Sequence, residues 1–385
     1  MNQKQLPQGF RDEFGAFAQQ KEAVAQAVLQ YFKDRGFERI NTPLMEYKSV
    51  FSNYVMDEHQ GVYEFVDTAK GNLVLRPDLT QPIARFLSTT PVQLPKKFYY
   101  YGDAIALNQE HRGAANQVTQ AGIELVGYTS SKAELECLWL IAEVNRELLG
   151  NAMHIELSDV RFAQAICDTL ALADEEREEL LTALFDKNFP AYESAIQQYQ
   201  GNALYPLLAV WPRLFGTVEE VKGELAQVIL PVPAQRVVDG LVDLAKAVEA
   251  IPGQHARLDL SSRPPQSYYT GVTFAGYVDT VSAYIVSGGR YDQLLANFQE
   301  QPEAAVGMAF DIDVLAGVAK TLTQVEELSY IYYDAADWAV AAKELVKLPQ
   351  KSVLLVDSLE EARQIAKEEK RVLYIIDEKG VRKDA

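Results

Sequence analysis

FYYYGDAIALNQEHRGAANQVTQAGIELVG, residues Phe98 to Gly127, is the stretch whose reading decides the fold. Its ends have strand character: an aromatic run, Phe98-Tyr99-Tyr100-Tyr101, and the alternating Gln120-Ala121-Gly122-Ile123-Glu124-Leu125. A polar, Gly-containing segment from Asn108 to Gln117 separates them, which predicts an antiparallel pair with a long connection. Strand side chains alternate with period 2, so Gln120, Gly122 and Glu124 share one face. Two readings follow from the strand alone. Either Gln120 and Glu124 wall a recess over Gly122, or this face is a half-exposed polar surface. Glu124 sits between Ile123 and Leu125, where an unpaired carboxylate would be costly to bury.

Outward from this hairpin, the chain reads as an α+β protein of 385 residues. Phe17, Val24, Ala27, Val28, Tyr31 and Phe32 fall on one helical face that ends near Gly36, a C′ glycine. Phe37 to Asn41 is a short strand stopped by Pro43. Leu73-Val74-Leu75 runs into Pro77, and Asp78 or Thr80 can cap a helix from Gln81 to Leu87. A helix is predicted from Lys132 to Leu149 and a mostly helical insert over about 163–250. Strands resume at Ala256–Leu260, Tyr268–Phe274, Tyr284–Asp292 and Val306–Asp311. Residues 326–385 then read as a small β-α-β-α-β unit, giving two domains, 1–325 and 326–385.

Composition narrows the function classes. With 54 acidic and 36 basic residues the formal charge is −18, which disfavours nucleic-acid binding because phosphate neutralisation needs clustered Lys and Arg. The tail from Glu327 carries 10 basic and 12 acidic residues and no Gly-rich phosphate loop. No apolar run approaches the ~20 residues that span a bilayer, and Met1 to Pro7 lacks the apolar core of a signal peptide. Two cysteines, Cys137 and Cys167, make no disulfide scaffold and suit a reducing cytoplasm. The four histidines do not pair at metal-ligand spacing, so neither a metal nor a cofactor is expected.

Six signatures in order resemble the catalytic domain of histidyl-tRNA synthetase, a class II aminoacyl-tRNA synthetase, over roughly residues 5–320. They are Pro7-Gln8-Gly9-Phe10-Arg11-Asp12, Gly36 to Pro43 (motif 1), Leu75-Arg76-Pro77-Asp78-Leu79-Thr80, Phe98 to Gly127 (motif 2), Tyr268-Tyr269-Thr270-Gly271, and Val306 to Leu315 (motif 3). The resemblance implies an antiparallel sheet flanked by helices and a histidine-type pocket. In it Asp78, Thr80 and Gln120 would hold an α-amino group, while Glu124 and Tyr268, with Tyr269 beside them, would face an imidazole. Without the resemblance, Asp78 and Thr80 read as a helix cap and the two tyrosines as packing residues on a strand.

The adenylation half of the family's site does not carry over. Ala106, Pro264 and Val314 occupy the positions of the family's three phosphate-binding arginines, and on this alignment they should line one cleft beside Gln120 and Glu124. Fixed cations there stabilise the charge developing on phosphorus. Asp311 and Asp313 would repel phosphate. Arg263 could swing into one of these roles, Arg112 remains as a cation, and Arg290 reads as structural. The tail is also too short for the family's anticodon-binding domain.

A histidine-type pocket without adenylation chemistry resembles a paralogous family, the regulatory subunits of ATP phosphoribosyltransferase. That resemblance implies a non-catalytic subunit of a hetero-oligomer with a short-form catalytic subunit, acting in the first step of histidine biosynthesis. L-histidine would be the feedback effector, and a homodimer would form through Phe37 to Pro43. The alternatives are a divergent histidyl-tRNA synthetase and a free-standing amino-acid-binding accessory protein.

Overall fold

The computed structural model describes residues 4–51, 60–67, 71–108, 115–322, 329–348 and 351–384. His59, His111 and Arg112 fall outside these residues. The chain divides into two compact units, residues 1–322 and 323–385.

The first unit is built on the hairpin. Strands Lys96–Asn108 and Gln117–Val126 pair antiparallel, with Tyr100 opposite Gly122 and Gly102 opposite Gln120. They belong to a ten-stranded sheet. Its centre is antiparallel and runs through Lys96–Asn108, Gln117–Val126, Ala305–Asp311, Val286–Arg290, Val272–Tyr277 and His154–Asp159. Parallel strands flank this centre: Glu38–Arg39 at one edge and Ala256–Asp259 towards the other.

The period-2 alternation in Gln117–Val126 sorts side chains between two faces of the sheet. Ala121, Ile123 and Leu125 are buried in the main core with Val24, Val28 and Phe32 of helix Gly15–Asp34 and Leu138 and Ile141 of helix Lys132–Leu149. Glu124 projects to the other face, where a second cluster gathers Leu79, Ile83, Phe98, Tyr100 and Tyr291. Helix Gly15–Asp34 ends as its sequence requires: Gly36 has φ +76°, and its N–H donates to the Lys33 carbonyl at 3.0 Å.

The insert is helical, from Val160–Leu170 to Val232–Glu249, apart from the two-residue strand Phe215–Gly216, which joins the sheet edge. The second unit has strands in the order Lys351–Val353, Ser329–Tyr333, Leu373–Asp377, Gly380–Lys383, with helices Trp338–Leu345 and Leu359–Glu368. Its last strand is additional to the β-α-β-α-β reading. It is four residues long and pairs antiparallel with Leu373–Asp377 through a tight turn.

Two sequence expectations are corrected here. Tyr268 and Tyr269 are not on a strand: they lie in and just after a turn before Val272–Tyr277, where the Tyr269 N–H donates to the Gln266 carbonyl at 3.4 Å. Arg263 does not swing towards the sheet centre but pairs with Asp186 of the insert at 3.0 Å and lies over the Phe185 ring.

Arg290 is structural. Its Nε and Nη2 reach the two Glu134 oxygens at 2.6 and 2.8 Å, and Nη1 donates to the Tyr128 carbonyl and to Asp292. Both members of the Arg290–Glu134 pair are buried, so removing one leaves the other uncompensated. Arg290→Met is expected to cost about 3–5 kcal/mol in denaturant unfolding. Arg290→Met combined with Glu134→Leu is expected to recover most of that loss, because no unpaired charge then remains buried.

Candidate functional site

Glu124 is 1% exposed and fully partnered. Its Oε1 accepts from the Thr80 hydroxyl at 2.8 Å and its Oε2 from the Tyr291 hydroxyl. Thr80 begins helix Thr80–Thr89, and Tyr291 follows strand Val286–Arg290, so this carboxyl ties two other elements to the hairpin. Gly307 stands opposite Glu124 on the next strand, and any Cβ there would collide with the Glu124 carboxyl. At Gly122 the missing side chain is replaced by the Tyr100 ring, since a Cβ there would lie against that ring and 2.6 Å from the Met308 carbonyl.

Asp78 performs two tasks. Its Oδ1 accepts from the Gln81 N–H at 2.7 Å, capping the helix start, and its Oδ2 accepts from the Tyr268 hydroxyl at 3.3 Å. The Tyr268 ring packs edge-on against Tyr269 and Tyr291, with centroids 5.2 and 5.7 Å away. The result is a recess of about 50 Å³ that brings together Asp78, Thr80, Gln120, Glu124, Tyr268 and Tyr269. Of the two readings open at Gln120 and Glu124, the recess is the one present. Tyr100, Gln266, Ser287 and Tyr291 also line it and were not singled out in the sequence. The hairpin register could have found Tyr100, which stands opposite Gly122. Tyr291 approaches from 167 residues away and left no local signal.

Burial dominates the electrostatics. It pushes the Glu124 carboxyl up to about 8, against the Tyr291 and Thr80 hydroxyls, which favour the charged form; the nearby Asp78 adds to the rise. Burial likewise raises Asp78 to about 6, opposed by its hydrogen bonds from Gln81, Tyr268 and Thr80. The described lining contains no Lys or Arg.

None of Ala106, Pro264 and Val314, expected in one cleft beside Gln120 and Glu124, lines the recess itself. Gly102 stands opposite Gln120, so Ala106 lies four residues further along the strand, roughly 13 Å away at ~3.3 Å per residue. Val314 packs against the main core. Asp313 does not present a free negative charge either. Lys21 and Arg11 pair with it at 2.6 and 2.7 Å, and the Thr119 N–H donates to it at 2.8 Å. This cluster borders a larger groove, about 940 Å³, between residues 9–13, helix Gly15–Asp34 and the other face of the sheet. Among the described residues, no group of three or more His, Cys, Asp or Glu could hold a metal, and no helix is long and apolar enough to cross a membrane.

Comparison with known proteins gives the site its context. Residues 9–315 match the family model described as histidyl-tRNA synthetase. An ATP phosphoribosyltransferase regulatory subunit from Lactiplantibacillus plantarum is 43% identical over 93% of this chain and 94% of its own length. The regulatory subunit from Limosilactobacillus fermentum is 40% identical over 99% of both chains. Among solved structures, an ATP phosphoribosyltransferase regulatory subunit/histidyl-tRNA synthetase from Bacillus halodurans has a TM-score of 0.79 at 23% identity, covering 95% of this chain and 97% of that one. A histidyl-tRNA synthetase from Nostoc sp. PCC 7120 has a TM-score of 0.74 at 16% identity, covering 98% and 92%. These likenesses place the fold among class II synthetase-like α+β folds.

The raised Glu124 carboxyl has a pH consequence. Between the unfolded range near ~4.3 and about 8, the folded chain holds a proton that the unfolded chain has lost. Stability contributed through this group is therefore intact below the unfolded value, falls as pH rises, and is fully lost above about 8. Glu124→Gln keeps the shape and removes this titration. Its unfolding free energy is expected to draw progressively above that of the parent as pH rises from about 5 to 8.5, by a few kcal/mol at the alkaline end, at ~1.4 kcal/mol per pKa unit, and its thermal midpoint to rise with it. Parallel melting curves of the two proteins across pH would contradict the assignment.

Proposed function

The chain belongs to the family of ATP phosphoribosyltransferase regulatory subunits, and from that premise we propose that it is a non-catalytic subunit serving a separate, short-form catalytic chain, with histidine as feedback effector. The observation that carries this reading is the composition of the recess. It assembles carboxyl, hydroxyl and phenol groups suited to an amine and an imidazole, and no cation among the described lining suited to a phosphate under attack.

Linkage supplies the physical basis. Histidine inhibits only if it binds an inhibited arrangement of the complex more tightly than the active one, and coupling of ~1–3 kcal/mol changes affinity or population roughly 5–150-fold. Pairing of this chain with itself belongs to the same proposal. Strand Glu38–Arg39 is an edge of the sheet, and Leu44, Met45 and Tyr47 shortly after it in sequence are exposed apolar side chains. The cytoplasm is the compartment consistent with two buried free thiols, Cys137 and Cys167.

Mixing the purified chain with a short-form catalytic subunit tests the proposal. Condensation of ATP with phosphoribosyl pyrophosphate is expected to rise roughly tenfold or more over the catalytic chain alone, a coupling within the usual range, and added histidine is expected to reverse the rise. Histidine-dependent ATP–pyrophosphate exchange by this chain alone would instead make it a divergent synthetase. No stimulation on mixing would leave an accessory amino-acid-binding protein.

A further inference from the structure

The second unit carries an edge strand without the usual guards. In its sheet, Lys351–Val353 and Gly380–Lys383 are the two edges. Natural sheets protect such edges with charge, proline, bulges or a covering element, because free N–H and C=O groups otherwise template another strand. Gly380–Lys383 follows this rule: Arg382 and Lys383 are exposed, and Arg382 pairs with Asp377 at 3.0 Å. Lys351–Val353 does not. The run 351–357 reads Lys351-Ser352-Val353-Leu354-Leu355-Val356-Asp357, with charge only at its ends and no proline. Its pairing with Ser329–Tyr333 continues to Leu354, whose N–H donates to the Ile331 carbonyl at 2.8 Å.

Strand geometry sorts this run. The Leu354 N–H points inward, so the N–H and C=O of Val353 and Leu355 point to the open side. Side chains alternate between faces. Leu354 and Val356 pack with Tyr332 and Ala362 on the side of helix Leu359–Glu368, and Lys351, Val353 and Leu355 face the other way. On that other face helix Trp338–Leu345 packs over Leu373–Asp377 and Gly380–Lys383, at the far side of the sheet. Val353 belongs to neither apolar cluster of the unit, and Leu355 is 90% exposed.

The order of residues selects a second copy as the occupant of this edge. Two identical strands pairing antiparallel about a two-fold axis keep each face on its own side, so only registers that match odd with odd and even with even numbers are allowed. With Leu354 on the axis, Val353 stands opposite Leu355 twice and Lys351 stands opposite Asp357 twice. Two apolar pairs are then flanked by two opposite-charge pairs, each a favourable cross-strand combination. Moving the axis by one residue sets Lys351 against Leu355, or Asp357 against Val353, and the charges lose their partners.

We propose that the C-terminal unit pairs with the C-terminal unit of a second copy of this chain, edge strand to edge strand about Leu354, so that two four-stranded sheets become one continuous sheet. The contact is independent of the recess and of the Glu38–Arg39 edge, and its residues lie beyond the 9–315 span that matches the family model.

Disulfide trapping in the full chain decides the matter. Cys137 and Cys167 are buried, so an introduced thiol is the accessible one. Leu354→Cys meets its own copy across the axis at a Cα separation of ~4.5 Å, within disulfide range. Leu355→Cys meets its own copy only diagonally, at roughly 7–8 Å, beyond the reach of that bond. With diamide as oxidant, Leu354→Cys is expected to form a covalent dimer about tenfold or more faster than Leu355→Cys, although Leu355 is the more exposed side chain. Lys351→Glu in the Leu354→Cys chain is expected to slow trapping roughly fivefold, as for two exposed ion pairs lost. Adding Asp357→Lys to that chain is expected to restore the rate. Leu355→Cys linking as fast as Leu354→Cys overturns the inference, and so does the absence of linkage by either. Trapping that Lys351→Glu leaves unchanged overturns it as well. If Leu354→Cys fails to fold, a mixture of Val353→Cys and Leu355→Cys chains decides in its place. Linkage between the two variants in excess of linkage within either supports the register, and its absence overturns it.

Discussion

A carboxyl group buried on the far side of the sheet from the main core constrains most of what surrounds it. Glu124 is held by the hydroxyls of Thr80 and Tyr291, one from a helix start and one from the end of a strand. An acid this deeply buried is tolerable only when its oxygens are satisfied, and each lost partner would leave a desolvated acceptor. The neighbouring strand makes space for it by lacking a side chain at Gly307. Register is fixed as a result. Slipping Gln117–Val126 by one residue would drive Glu124 into the apolar core and Ile123 into the recess.

Much of this site was legible because it lies close to local pattern. The alternation in Gln120 to Leu125 is enough by itself to separate a polar face from an apolar one. The Pro-Asp-Leu-Thr sequence at residues 77–80 marks a helix start whatever its further role. Asp78 caps that start and also lines the recess. What was not legible depends on directions in space that motif order does not encode. Tyr291 reaches Glu124 across the sheet, and Tyr268 and Tyr269 lie in and just after a turn rather than on the ladder. Ala106 and Val314 show the limit most clearly. An alignment can assign them to a functional position, but strand register carries one beyond the recess and helix packing turns the other into the core.

Among the described residues, the recess is lined by acids, phenols and neutral groups. Despite a formal charge of −18, the sheet is bordered by arginines and lysines, several of them in ion pairs: Arg290 with Glu134, Arg85 with Glu46, Lys21 and Arg11 with Asp313. A buried pair such as Arg290–Glu134 contributes little net stability over an apolar substitute, yet breaking it is expensive. That cation is therefore poorly placed to be lent to a substrate. The polar groups left unengaged at the sheet centre, Gln120 and Ser287, are neutral.

A regulatory role makes a different demand on such a recess from a catalytic one. Catalysis requires groups aimed at charge that develops in a transition state; regulation requires only that a ligand prefer one arrangement of the protein over another. Burial lifts both Asp78 and Glu124 above the usual carboxylate range, with no cation in the described lining. A cationic ligand held there would favour their charged forms and so stabilise the arrangement that binds it. Glu124 joins the hairpin to helix Thr80–Thr89 and to Tyr291, so the effect would arise where three elements meet. Ligand binding at this junction would be felt through the helix and the sheet together, which is what coupling to a partner surface requires.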